Sequence, residues 1–155
     1  MCRALYAGEG KPITRAHVEA VVPESRERGI FELTKAIGAG RTDQALHLLA
    51  ALVRNREPAL RIQFMLLRQL RQIWRAKELL AQAVPRQEMA AQVGINPYFL
   101  DDVLIPARKM SPSALEKSFD LLYEADRKLK SSRIDPELQI ARLVRQLCEK
   151  AAGRT

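Results

Sequence analysis

The stretch PALRIQFMLLRQLRQIWRAKELL, residues 58–80, decides the fold because its side chains divide very unevenly around a helix. At about 100° per residue, the apolar side chains cover roughly two thirds of the circumference. They are Leu60, Ile62, Phe64, Met65, Leu66, Leu67, Leu70, Ile73 and Trp74. The remaining arc holds Arg61, Arg68, Arg71 and Arg75. A helix that is apolar on so many sides must be surrounded by other elements, from this chain or from a partner. We therefore predict the central helix of a helical assembly, with one exposed basic edge.

The length and composition fit a single domain, or one domain with part of another, in 155 residues. No apolar run approaches the about 20 residues that span a bilayer, and the N-terminus MCRALYAGEG lacks the apolar core of a secretory signal. We expect a cytoplasmic protein with no membrane contact. Cys2 and Cys148 are then expected to be free thiols. Cys148 completes an apolar stripe, which is typical of a small buried hydrophobe.

The net charge of +8 favours acidic partners, nucleic acid above all. The positive residues are spread along the chain and mixed with acids, so this signal is weak and a solvated basic surface is the preferred explanation of the charge. The arginines of residues 58–80 have the same two interpretations: an edge neutralised by acids of neighbouring helices or subunits, or a contact with a nucleic-acid backbone. Trp74 lies on the apolar side, which favours a core or subunit contact over base stacking.

The sequence before residue 58 predicts separate short helices, since no run alternates with strand period. Thr14 is expected to cap a helix that Pro23 ends. The polar stretch 24–29 is the best candidate for a linker. A second helix is expected from about residue 30 to residue 39, with Gly40 as its C′ residue.

Cap and proline signals then mark the remaining helices. Thr42 is expected to cap the third one, and Gly94 to close the short helix that begins at Pro85. The other predicted starts are Pro58, Pro97, Ser111 with Pro112, and Asp135 with Pro136. Pro106 is expected to kink or break its helix.

No pattern of catalytic or metal-ligating residues is present. His17 and His47 lie in separate predicted helices, without a cysteine or carboxylate at ligand spacing. Glycine-rich phosphate loops, nucleophile elbows and paired cysteines are missing from the sequence. Asp101 and Asp102 project about 100° apart on a helix, so we expect a solvated acidic face and not a carboxylate pair. We predict no catalytic, cofactor-binding or metal site in this chain.

Residues 86–109, RQEMAAQVGINPYFLDDVLIPARK, imitate a helix-turn-helix. In a DNA-binding protein the second helix presents Arg, Lys, Asn or Gln to the base edges. Here its exposed positions carry Asp101 and Asp102, which phosphate repels, and only Arg108 and Lys109 at its end are basic. We expect this segment to be a packing motif, and we keep a DNA-binding regulator as the alternative function.

Four segments carry a further similarity through their order and spacing along essentially the whole chain. They are IFELTKAIGAGRTDQALHLLAALV (30–53), LRQLRQIWRAKELL (67–80), EMAAQVGINPYF (88–99) and FDLLYEADRKLKSSRIDPELQIARLVRQLC (119–148). Their succession resembles the delta subunit of the bacterial DNA polymerase III clamp loader, part of a DNA-directed DNA polymerase holoenzyme. That family's protein has an ATPase-like domain without ATP hydrolysis, a helical lid and a C-terminal helical collar.

The resemblance implies an all-α helical bundle of the clamp-loader collar type, preceded by a short helical remnant of the lid. Residues 1–28 are similar to the end of the lid, residues 29–151 to the whole collar, and residues 152–155 form a tail. The chain is therefore expected to be a fragment of a longer protein. It would assemble through the collar with tau/gamma and delta-prime type subunits in a five-membered ring.

The implied function is a scaffold in the complex that places the sliding clamp on primed DNA during replication. In the family, the N-terminal domain contacts the clamp and other subunits handle ATP. This chain alone is therefore expected to have no enzymatic activity and no cofactor, and to meet DNA only within the assembly. Arg61, Arg68, Arg71 and Arg75 remain candidates for a subunit or DNA contact.

Overall fold

The structure, a computed structural model, describes the backbone of residues 15–131 and 133–153 and the side chains from residue 26 onward. Within these residues every regular element is a helix, which confirms the all-α prediction. The elements are α1 (Arg15–Gly38), α2 (Thr42–Arg54), α3 (Ala59–Ala81), α4 (Arg86–Val93), a 3₁₀ turn (Pro97–Phe99), α5 (Leu100–Lys109), α6 (Pro112–Ser131) and α7 (Pro136–Ala151). The predicted Thr14 cap, Cys2 and the side chain of His17 lie outside the described residues.

Helix α3 is the centre of the bundle, as its composition predicts. It packs against α1, α4, α5, α6 and α7. Its inward face is completely buried at Ile62, Leu66, Ile73 and Leu79. This face joins a single apolar core to which the described helices all contribute.

The apolar arc of α3 is narrower than the sequence predicts. Leu60 and Phe64 were expected to be covered, but they are 49% and 66% exposed. Phe64 follows Arg61 by three positions and precedes Arg68 by four, so helical spacing places it among the arginines. The exposed edge of α3 is therefore aromatic as well as basic.

The predicted linker at residues 24–29 is wrong, because α1 continues through Pro23 and through this stretch. A proline inside a helix removes one backbone hydrogen bond, and tertiary packing can outweigh that loss. Here the second half of α1 buries Ile30, Leu33 and Ile37 in the core. The polar residues before it are good helix formers, so the helix extends N-terminally as one element.

Most of the predicted helix ends are confirmed by their hydrogen bonds. Gly40 adopts φ +66°, and the N–H of Arg41 donates to the carbonyl of Ala36, which closes α1 with a Schellman motif. Ser111 Oγ accepts from the N–H of Ala114 at 3.1 Å. The caps at Asp135 and Gly94 are confirmed as well: Asp135 Oδ1 accepts from Glu137 N–H, and Gly94 is left-handed.

A few ends differ from prediction by one residue or one turn. Thr42 is the first residue of α2 and makes no capping bond; the cap position is Arg41. Pro58 and Pro85 occupy the cap positions of α3 and α4, one residue before the predicted ones. Pro97 begins a 3₁₀ turn instead of an α-helix.

Pro106 does not break its helix, because α5 continues to Lys109. It lies near the end of α5, where the loss of one backbone bond is local. The N–H of Met110 donates to the carbonyl of Pro106 at 2.9 Å. Gly38 of α1 lies against this proline: a Cβ at Gly38 would be 2.9 Å from the Cβ of Pro106. The proline therefore serves as a close contact between α1 and α5.

Candidate interaction surface around helix α3

The exposed edge of α3 presents four arginines and one aromatic ring along about 21 Å of helix. These residues, which we call the α3 edge, are Arg61, Phe64, Arg68, Arg71 and Arg75. The regular repeat of exposed positions three and four residues apart places them in one stripe. All of the predicted arginine candidates are therefore brought together on one solvent-facing surface.

Acidic residues neutralise only the two ends of the α3 edge. Arg61 Nε lies 3.6 Å from Glu57 Oε2, and Arg75 Nη1 lies 3.4 Å from Glu78 Oε2. In the part of the chain that the structure describes, Arg68 and Arg71 form no ion pair. The acids that the sequence analysis expected from neighbouring helices thus do not reach the middle of the edge.

A groove runs beside the first half of the edge, between α1, α3 and the turn at residues 94–99. Its volume is about 310 Å³. We call it the α1–α3 groove. Phe31 and Phe99 stack at its base with ring centroids 4.5 Å apart. It is lined by Arg26, Glu27, Ile30, Phe31, Arg61, Phe64, Met65, Arg68, Gln69, Gln72, Gly94, Ile95, Asn96 and Phe99.

Two buried glutamines of α3 each leave one side-chain atom without a hydrogen-bond partner among the described residues: Oε1 of Gln63 and Nε2 of Gln69. Gln63 Nε2 donates to the carbonyl of Leu122 at 2.9 Å. Gln69 is 3% exposed and lines the α1–α3 groove. Its Nε2 has no hydrogen-bond partner among the described residues. A buried donor without an acceptor is uncommon in folded proteins and needs an explanation.

The far end of α3 carries a second aromatic contact. Trp74 is half-buried, packs edge-on against Phe119 of α6 at 6.1 Å, and donates from Nε1 to Glu78 Oε1 at 3.0 Å. Arg71, Trp74, Glu116 and Phe119 line a shallow, mostly apolar depression. Trp74 therefore belongs to the apolar side of the helix, and it borders the exposed edge.

Both acids of the helix-turn-helix-like segment have basic partners, one within the segment and one on α1. Asp101 Oδ2 lies 2.8 Å from Arg86 Nη2, and Asp102 Oδ1 lies 2.9 Å from Lys35 Nζ. The predicted solvated face is confirmed for Asp101, whose side chain is 63% exposed, whereas Asp102 is partly buried against Lys35 of α1. Asp101 and Asp102 lie on the helix that would enter the major groove, where a DNA-binding protein needs hydrogen-bond donors for the base edges.

The remaining sequence candidates lie away from the α3 edge. Cys148 is free and completely buried, as predicted. Burial raises the pKa of its thiol to about 11. A hydrogen bond with Thr42 lowers this pKa, and the negative charge of Glu149 raises it further. His47 is exposed.

Among the described residues no group of three or more His, Cys, Asp or Glu side chains is placed to hold a metal ion. No described helix is long and apolar enough to cross a membrane.

Comparison with known protein families assigns the chain to one of them. Residues 27–147 match the family described as DNA polymerase III delta subunit, C-terminal domain. The chain belongs to this family. The match covers the α3 edge and the α1–α3 groove almost completely, and it confirms the resemblance that the four helical segments carry.

A curated sequence and a solved structure, both from Bacillus subtilis, extend the comparison to most of the chain. The curated protein DNA polymerase III subunit delta of strain 168 is 23% identical over 145 residues, which are 94% of this chain and 42% of the relative. The solved structure of the Bacillus subtilis DNA clamp loader delta protein (YqeN) has the same fold, with a TM-score of 0.75 and 23% identity. That match covers 94% of this chain and 43% of the other. The chain thus spans less than half the length of these delta proteins.

The groove also contains residues that were not predicted from the sequence as site residues. Phe64 was counted with the core, although its spacing to Arg61 and Arg68 indicates the exposed arc. Gln69 stands between Leu66 and Leu70 in the sequence, and a polar residue on an otherwise apolar face is a usable signal. The contributions of α1 and of the 94–99 turn depend on tertiary packing, which no single-helix pattern reports.

Proposed function

We propose that this chain is the collar part of a clamp-loader delta subunit, a helical scaffold without catalytic activity. The family match over residues 27–147 carries the proposal. In this proposal residues 29–151 form the collar, residues 1–28 are the end of the lid domain, and residues 152–155 are a tail. The assembly it serves places the sliding clamp on primed DNA during replication.

The proposed partners are tau/gamma and delta-prime type subunits, which bind through the collar. The clamp is contacted by a part of the delta subunit outside this chain, and primed DNA is met only within the assembly. Subunit interfaces of this kind bury an apolar centre and use charges at the rim to select partners. The α3 edge has both components, since an exposed Phe64 stands among four arginines.

We assign the α3 edge to a subunit contact. Arg68 and Arg71 have no acidic partner in the described part of the chain, and Phe64 is 66% exposed beside them. An acidic rim on a neighbouring subunit would neutralise the two arginines, and an apolar patch would cover the ring. A helix-turn-helix DNA-binding regulator is the less suitable function, because Asp101 and Asp102 occupy the presenting face of α5.

The proposal is tested by mixing this chain with the purified clamp-loader subunits of the same organism and measuring mass by size-exclusion chromatography with light scattering. We expect a stable complex. The double variant Arg68→Glu/Arg71→Glu should weaken it, whereas the matched control Arg54→Glu/Arg127→Glu, with the same charge change on α2 and α6, should not. If the partner subunits bind a full-length delta subunit but not this chain, the proposal is wrong.

A further inference from the structure

We propose that the α1–α3 groove binds an acidic–apolar segment of the neighbouring subunit. A large apolar side chain of that segment enters the groove, and a carboxylate beside it accepts from Gln69 and pairs with Arg68. The inference rests on the proposed function, because it names the chemistry of the partner at the same surface. It uses three independent properties of the groove.

The first property is its apolar interior. Ile30, Phe31 and Phe99 form the base, and Met65 and the exposed Phe64 stand on the α3 side. A cavity of about 310 Å³ is large enough for one bulky side chain of a partner. Insertion there would remove the Phe64 ring from water, which is favourable. Aromatic anchors of this kind typically dominate the affinity of an interface.

The second property is an unused hydrogen-bond donor. Gln69 Nε2 is buried and lines the groove without a partner among the described residues. On Gln63, six positions earlier on the same helix, the donor is satisfied by the carbonyl of Leu122, and it is the acceptor Oε1 that lacks a partner among the described residues. An oxygen of a bound segment would supply Gln69 with the acceptor that the described part of the chain does not provide.

The third property is the charge of the rim. Three arginines and one glutamate line the groove. Arg26 and Arg61 share the carboxylate of Glu57, so their charges are partly neutralised. Arg68 has no acidic partner in the described part of the chain. The rim is therefore complementary to a carboxylate.

The base of the groove is better suited to a protein side chain than to a nucleic-acid base. Phe31 and Phe99 stack on each other and are only 6% and 5% exposed, so they offer no open ring face to a base. Single-stranded nucleic acids bind through such stacking on accessible rings. A side chain that inserts between α1 and α3 needs no ring face.

The test measures the affinity of this chain for the purified partner subunits by biolayer interferometry. Phe64→Ala, Arg68→Glu and Gln69→Leu should each raise the Kd about tenfold. The controls Arg54→Glu, on α2 outside both the groove and the α3 edge, and Tyr123→Ala, an exposed aromatic of α6, should change it less than about twofold. Gln69→Leu is decisive because it removes a buried donor without a partner. Its unfolding midpoint should not fall, whereas a merely structural glutamine would lose stability.

A cross-link identifies the occupant. The photoreactive residue p-benzoylphenylalanine at position 64 should cross-link, within the complex, to a partner peptide that has Asp or Glu next to a large apolar residue. A cross-link to a second copy of this chain, to added primed DNA or to a peptide without an acid overturns the inference, as does no cross-link in a complex that forms. Equal affinity of all the groove variants overturns the inference alone. Failure of the unmodified chain to bind any partner overturns the proposed function.

Discussion

Arg26 Nε of α1 lies 2.5 Å from Oε1 of Glu57, whose side chain is only 3% exposed. Glu57 stands in the turn just before α3, so this pair joins the first helix to the central one. Arg61 also approaches the carboxylate, but its Nε is 3.6 Å away, beyond hydrogen-bond distance. One buried carboxylate is therefore held mainly by one arginine.

This arrangement predicts unequal effects for the two sides of the pair. Arg26→Met leaves a buried charge with only a distant partner and should lower the free energy of unfolding by about 2–3 kcal/mol. Glu57→Gln removes the charge and returns the half-exposed arginines to water, so its cost should be about 1 kcal/mol. Urea unfolding at neutral pH measures both. A larger loss for Glu57→Gln than for Arg26→Met would contradict the interpretation.

The turn between α1 and α2 should not accept a side chain at Gly40. This residue has φ +66°, and a Cβ there would lie 2.8 Å from the Cβ of Ala152 after α7. Gly40→Ala should cost about 3 kcal/mol from backbone strain and overpacking together. Gly94→Ala is the matched control: φ is +76° but no atom lies within 4 Å, so only the backbone cost of about 1 kcal/mol remains. Equal losses in urea unfolding would exclude a contact with Ala152.

Leucines at two positions of α3 should differ strongly although their chemistry is the same. Leu66 is completely buried, and Leu66→Ala should lower the free energy of unfolding by about 3 kcal/mol through lost burial and a cavity. Leu60 is 49% exposed, so Leu60→Ala should cost less than about 1 kcal/mol. Chemical denaturation of both variants checks this. Similar losses would mean that Leu60 is covered in solution.

The sequence predicts those parts of the fold that depend on a few neighbouring residues. The caps at Ser111 and Asp135 and the left-handed Gly40 and Gly94 need only local backbone and side-chain chemistry. The linker prediction at residues 24–29 failed because two arginines of this stretch have distant partners. Arg26 binds Glu57, and Arg28, two residues later, donates to Tyr98 at 2.7 Å. Such pairs depend on the tertiary fold. The polar composition of residues 24–29, considered alone, therefore predicts a loop.

The candidate surface, too, could be predicted from the sequence only in part. The arginines of the α3 edge follow from the 100° spacing of one helix, and the structure places all of them on one exposed stripe. The α1–α3 groove exists only because α1 and the 94–99 turn pack beside α3. The group in it that matters most for the proposal is Gln69 Nε2, a buried donor without an acceptor among the described residues. Only the three-dimensional structure shows that this acceptor is missing. A periodic pattern reports which side of a helix is polar, but not which polar group is left without a partner.

The buried thiol predicts a specific dependence of stability on pH. Burial raises the pKa of Cys148 from 9.0 to about 11, so the unfolded chain loses this proton at lower pH than the folded chain. The resulting stabilisation is complete below about pH 9 and is lost as pH rises towards 11, with a slope of about 1.4 kcal/mol per pH unit. Cys148→Ala lacks this term. Urea unfolding from about pH 8 to about pH 10.5 should show the gap between the two proteins narrowing. A constant gap would contradict the raised pKa.

Isolated chain and duplex DNA should associate weakly, with a steep dependence on salt and no preference for sequence. The α3 edge can attract phosphate through Arg68 and Arg71, and such purely electrostatic binding falls by orders of magnitude between about 50 and 200 mM salt. Fluorescence anisotropy with labelled duplexes measures it. Arg68→Glu/Arg71→Glu should abolish the residual binding, whereas Arg108→Gln/Lys109→Gln at the end of α5 should leave it nearly unchanged. Binding of one duplex at about 10 nM in moderate salt, lost on changing α5, would instead indicate a sequence-specific DNA-binding protein.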